Sequence, residues 1–210
     1  MESRTSRRDG EATRERLLQA ALELYTTTGY SRTTTPMLAT QAGVAEGTIY
    51  RHFKGKEALL NEAWRRAYRT GMDLLKALEG DRVRKAPERL ALLGRQLVDL
   101  AAADPALMRM MFTTEAEPYL DEPSRAARRD FLDGLVQLVA MGKSDGLVRP
   151  GPAELWASVW FTVVQHAIDL VASGTWTADS SPAALTLDAA WDAIAARETP
   201  TAASRLPGTS

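Results

Sequence analysis

Residues 45–60 read AEGTIYRHFKGKEALL. Within this stretch Thr48, Tyr50, Arg51, His52, Lys54 and Lys56 offer hydroxyls, an imidazole and three cations. None of these groups forms a nucleophile–base pair, and the nearby Glu46 and Glu57 do not pair into an acid–base couple. Such a set is suited to holding an anion. Lys54 and Lys56 sharpen that reading. A helix beginning near Lys56 places positive charge at the end where the macrodipole favours acids. Either the mismatch is a small uncompensated cost on a solvated loop, or an anion docks there.

Catalysis has little support elsewhere. The histidines are His52 and His166, and there is no cysteine. That removes disulfides, thiolate metal sites and thiol nucleophiles. Glu115 and Glu117 are two apart, so a helix would point them in different directions. No His-x-x-x-His pair or phosphate-cradling glycine loop occurs, and no cofactor or metal is expected.

The chain has 210 residues, 45% hydrophobic and 25% charged, with a formal net charge of −1. The charge is uneven. Residues 1–70 carry a net +4 and the remaining 140 a net −5. A basic front half and acidic back half favour a front that meets a polyanion. No uninterrupted apolar run approaches the roughly 20 residues of a membrane span. The charged N-terminus lacks the apolar core of a signal peptide. A cytoplasmic protein with no membrane partner is expected.

Helical periodicity accounts for almost every segment. In RERLLQAALELYTTTGY, Leu17, Leu18, Ala21, Leu24 and Tyr25 share one face, and Gly29 marks a C-terminal stop. In TTTPMLATQAGV, threonines supply N-caps, Pro36 a first-turn residue and Gly43 the next stop. A short third helix ends at an aromatic, and a long fourth spans about Lys56–Glu79. Further helices are expected over Pro87–Ala103, Ala106–Thr113, Pro123–Ser144, Pro152–Ser173 and Pro182–Ala196. The expected class is all-α. Its parts are a head at 1–55 (with 1–10 as a flexible arm), a body at 56–198 and a disordered tail at 199–210. Arg4, Arg7 and Arg8 read as a solvated arm or as a minor-groove arm.

Three short helices before a long one focus attention on residues 34–53. Ala39 lies within the second helix, Gly43 four residues on and Ile49 six beyond. A helix-turn-helix needs a small residue where its helices cross and a glycine at the turn. The segment TTGYSRTTTPMLATQAGVAEGTIYRHFKGKEALL closely resembles the DNA-binding head of TetR-type bacterial transcriptional regulators, over about residues 12–62. The resemblance implies a homodimeric, ligand-responsive repressor on a palindromic operator. Within the class, an activator or a ligand-independent regulator remains open; outside it, an all-helical enzyme with a DNA-binding head. The resemblance places Thr34, Tyr50 and Lys56 at phosphate contacts, with Thr33 beside them. It places Thr48 and His52 near the DNA backbone or a base edge. Ala45, Glu46, Gly47 and Arg51 lie on or beside the recognition helix. It also resolves the charge mismatch in favour of a DNA phosphate near Lys56.

The back half pools residues suited to a flat or greasy ligand: Trp64, Tyr68, Met110, Met111, Trp156, Trp160 and Phe161, with Gln165 as a polar contact. Each could equally pack helices. In Pro152–Ser173 the polar side chains occupy an arc of roughly 120° and the apolar ones about 200°, about twice what packing on one core requires. The resemblance assigns the surplus to a partner subunit, through Ala157, Val164, Ala167 and Ile168, with Trp191 from the following helix. The expected partners are operator DNA, a small hydrophobic effector and a second copy of the chain.

Overall fold

A computed structural model describes residues 2–79 and 84–197, the first six as helical backbone. The described residues form α1 (Glu2–Thr27), α2 (Thr35–Ala42), α3 (Glu46–His52), α4 (Lys56–Glu79), α5 (Ala86–Ala103), α6 (Pro105–Met110), α7 (Glu122–Ser144), α8 (Ala153–Ala172) and α9 (Ser181–Ile194). A 3-10 helix, Thr114–Tyr119, links α6 to α7. The expected tail lies outside the described residues. Val148 and Ala195 form an isolated antiparallel bridge that pins the end of α9 to the α7–α8 loop.

α1 starts at Glu2, where a flexible arm over 1–10 was expected. Helix-forming Glu, Arg and Ala residues carry it back beyond the apolar stripe that marked its position. Of that stripe, Leu17, Leu18, Ala21 and Tyr25 are buried and Leu24 is half-buried against the core. α2 has the anticipated start and stop. Thr34 Oγ1 accepts from the Met37 amide, and Gly43 adopts φ 63°, ψ 43°, a left-handed conformation that glycine takes without a Cβ penalty. The turn lets Val44 N–H bond to the Ala39 carbonyl at 3.0 Å. It brings Ile49 of α3, fully buried, against the small residues Ala39 and Ala42 of α2.

α1 packs on α2, α4 and α6; α4 lies along α7; α8 sits among α5, α6, α7 and α9. By length and composition the 20-residue α8 could cross a membrane, with a mean hydropathy of 1.3 over its most apolar 18 residues. The count of uninterrupted apolar residues had missed it because Glu154, Gln165, His166 and Asp169 break the run. In this fold its apolar surface is shared among neighbours. Trp160, Val164, Ala167, Ile168 and Val171 enter the core.

That division corrects the expected dimer surface. Val164, Ala167 and Ile168 have no exposure and Ala157 only 3%, so no partner can reach them. The periodicity gave the width of the apolar arc but could not say which part of it faced the protein's own core. Trp191 is half-buried against that core.

Candidate nucleic-acid interface and effector cavity

α3 presents a clean division of faces. Ile49 points inward, while Ala45, Glu46, Gly47, Tyr50 and Arg51 are exposed and Thr48 and His52 half-exposed. Tyr50 is 59% exposed, so it is not a core residue. A Cβ at Gly47 would meet nothing within 4 Å, so no internal packing requires glycine there. Gly47 sits in the first turn of α3, and the missing side chain leaves that face open to close approach. Arg32, Arg51 and Lys54 are exposed cations of the head.

Two expected contacts take different places. Thr33 is fully buried, and its hydroxyl donates to the Gly29 carbonyl at 2.7 Å. It shapes the α1–α2 turn and cannot touch DNA. Lys56 Nζ donates to the carbonyls of Tyr30 and Thr33, at 3.0 and 2.9 Å, and lies 4.3 Å from the centre of the Tyr30 ring. Tyr25 Oη in turn donates to the Lys56 carbonyl at 2.9 Å. The positive charge at the start of α4 is therefore balanced by carbonyl oxygens of the preceding turn, a long-range partner that helix rules cannot reveal.

The same turn touches the body. Ser31 N–H donates to Glu115 Oε1 at 3.1 Å. Gly29 has φ +92°, a left-handed conformation that favours glycine, and a Cβ there would lie 2.7 Å from Glu115 Oε2 and displace the carboxylate. The Tyr30 and Tyr119 rings are 4.4 Å apart. Asn61, 3% exposed, donates to the Tyr119 carbonyl at 3.0 Å and accepts from the Asp121 amide at 2.8 Å. Sequence reasoning treated Glu115 only as a failed acid–base candidate. Its partner is 84 residues away.

Glu62 forms a second rivet. It bonds Arg65 and Arg69 of α4, and Arg14 of α1 lies 3.3 Å away. Partial burial alone would raise its pKa, but hydrogen bonds from Arg65, Arg69 and Arg14 outweigh that and hold it at about 2. Because the folded-state pKa is depressed, the stabilisation is complete above the ordinary carboxyl value of 4.5 and is lost as pH falls towards 2. Glu62→Gln should lower stability at pH 7 by about 1 kcal/mol, allowing for solvent screening. It should also flatten the acid limb of a plot of unfolding free energy against pH. A variant that keeps the wild-type slope between pH 4.5 and 2.5 would rule out this source.

Beneath these contacts is a cavity of about 420 Å³. Of the residues expected at a ligand site, Trp64, Tyr68, Met111, Phe161 and Gln165 line it. Met110, Trp156 and Trp160 do not. Met110 and Trp160 are core residues, and a Cβ on Gly94 of α5 would come within 3.4 Å of the Trp160 ring. Trp156 closes the α7–α8 loop, donating from Nε1 to the Pro150 carbonyl at 3.2 Å beneath the Arg149 guanidinium. Ala157, expected at a dimer interface, lines the cavity instead.

Further lining comes from Phe112, Leu132, Leu135 and Val136, and from the ion-paired Arg128 and Glu117. The aliphatic residues of α7 were not among those singled out from the sequence. Phe112 and Phe161 stack at 5.4 Å, and Phe161 contacts Phe131 at 5.5 Å. Tyr68 Oη donates to the Met111 carbonyl at 2.8 Å, and burial pushes its pKa up to about 12. Among the described residues no cluster of metal-ligating side chains occurs.

A short third helix that exposes one face, held by a glycine turn on the helix before it, is the arrangement of a helix-turn-helix head, here joined to a helical body with a lined cavity. The family model for bacterial regulatory proteins of the tetR family matches residues 17–63. The nucleoid occlusion factor SlmA of Marinobacter nauticus is 31% identical over 142 residues, covering 66% of this chain and 70% of that protein. The chain belongs to the tetR family. A TetR-family transcription regulator from Marinobacter aquaeolei shares its fold, with a TM-score of 0.76 and 24% identity over 91% of this chain and all of that one. So does the SmeT–triclosan complex, with a TM-score of 0.66 and 24% identity over 94% of this chain and all of that one. Several curated regulators match chiefly over the head, and the match spans only 26% to 36% of their length.

Proposed function

We propose that this protein is a cytoplasmic, homodimeric transcriptional repressor that binds a palindromic operator and is released by a small ring-bearing ligand in the body cavity. The observation that carries the reading is the short segment between α6 and α7. Thr114 and Glu117 of its 3-10 helix line the cavity, while Glu115 and Tyr119 hold the head through Ser31 and Tyr30. A ligand that repositions the first pair biases the second. Release requires only that the ligand bind one head arrangement more tightly than the other. The SmeT–triclosan complex supports a ring-bearing effector.

In this reading α3 enters the major groove. Arg51 pairs with a base edge or phosphate, Glu46 accepts from cytosine, and Tyr50, Thr34 and Thr48 contact the DNA backbone, with His52 at the rim. Lys54, exposed beside α3, takes the phosphate role first expected of Lys56. The dimer forms through the outer stripe of α8, Leu155, Val159, Val163 and Leu170, together with Leu185 of α9. Leu155 and Leu185 are 50% and 64% exposed.

Selection of bound DNA from a random pool tests the function. The expected product is a two-fold symmetric consensus with half-sites about 10 bp apart, or a multiple of that. Arg51→Ala should change the selected bases, and Lys54→Ala should weaken all sequences alike while lowering the salt slope by about one phosphate contact. Enrichment of no sequence over the starting pool would refute the regulator reading.

A further inference from the structure

The cavity's unused polar groups restrict what can fill it. Its charged lining residues are Glu117, Arg128 and Glu154. Arg128 and Glu117 neutralise each other. Glu154, in the first turn of α8, is exposed at the cavity edge and has no ion-pair or hydrogen-bond partner among the described residues. Of the neutral polar groups, Tyr68 Oη is committed to Met111 and Thr113 Oγ1 to the Arg109 carbonyl. Gln165 lies one turn before Asp169 on α8. Thr114 and Ser158 add exposed hydroxyls to the lining, whereas Trp64, 1% exposed with its Nε1 buried, offers the cavity only its ring.

Resting on the reading of this cavity as the ligand site, we propose that its ligand is a flat aromatic cation whose protonated amine faces Glu154. Its ring lies along Phe161 and the Trp64–Tyr68 pair. Glu154 and Phe161 are seven residues apart on one face of α8, about 10 Å at 1.5 Å per residue. A bicyclic ring with a one-carbon amine spans that interval. Aromatic faces attract a cation further. An anionic ligand meets a lining with one uncompensated negative charge and must compete with Glu117 for Arg128. A neutral ligand leaves Glu154 unused. A helix N-terminus explains why an acid is tolerated there. It does not explain an aromatic cavity whose one unbalanced charge is negative.

Isothermal titration calorimetry with three naphthalene probes of equal ring size tests this at pH 7: 1-naphthylmethylamine, 1-naphthalenemethanol and 1-naphthoate. The amine should bind about fivefold more tightly than the alcohol, as expected for one partly solvated ion pair, and the carboxylate most weakly. Glu154→Gln should cut the amine's advantage to below twofold, and Glu154→Asp should retain it. Phe161→Ala should weaken all three. Equal binding of amine and alcohol, tightest binding of naphthoate, or an advantage that survives Glu154→Gln overturns the cation assignment while leaving the cavity as a ligand site. Failure of all three to bind, or binding indifferent to Phe161→Ala, overturns the cavity reading and the inference with it.

Discussion

Lys56→Met is expected to lower the melting temperature by about 6–12 °C without changing the salt dependence of DNA binding. The estimate starts from two charge-assisted hydrogen bonds, to the Tyr30 and Thr33 carbonyls, and from the Tyr30 ring beneath the ammonium. Methionine keeps the stem and removes the donors. Half-buried, the set is worth about 3 kcal/mol, and each kcal/mol moves the midpoint of a chain this size by about 2–4 °C. The loss falls on the turn that orients α2 and, through Ser31, holds Glu115. DNA affinity should therefore drop through disorder in the head rather than through a missing phosphate contact. Thermal denaturation followed by circular dichroism, paired with binding titrations across a salt series, separates the two. A shift below 2 °C combined with a salt slope reduced by one contact would restore Lys56 as a phosphate ligand.

Val159→Arg combined with Val163→Arg should give a folded monomer whose operator affinity falls by about a hundredfold or more. Both valines are half-buried on the outer stripe of α8, beside the exposed Leu155. Arginine there extends into solvent, so the fold survives, but two buried charges on each side of a two-fold axis cannot pair. Single heads then forfeit the effective concentration that links two half-sites, a factor of about 10² to 10⁴. Ala157→Arg and Val164→Arg should behave differently. Those side chains are 3% and 0% exposed, so arginine would unfold the body rather than split a dimer. Sedimentation velocity at micromolar concentration, with circular dichroism on each variant, decides the matter. Dimers that persist in the double variant would exclude this face.

The sequence alone determined what depends on near neighbours. Helix α4 has the bounds that its periodicity indicated, and α5, α7, α8 and α9 lie within two residues of theirs. The Thr34 cap, the Gly43 stop and the inward Ile49 follow from spacings of a few residues, because caps and turns close over a few residues. The family was legible for the same reason, since residues 17–63 form one short continuous unit. The 3-10 helix at Thr114–Tyr119 was not, as it lacks a 3.6-residue apolar period and carries Pro118 within it. Tertiary structure decided the rest. Lys56 found its carbonyls, Glu115 its amide and Asn61 its two backbone partners across 23 to 84 residues. Composition and periodicity cannot encode such pairings. Of the aromatics singled out for a ligand site, Trp160 went to the core, Trp156 to a loop and Phe161 to the cavity wall. A helix's periodicity records how much of its circumference is apolar; what covers each part is settled only when the neighbouring helices occupy their places.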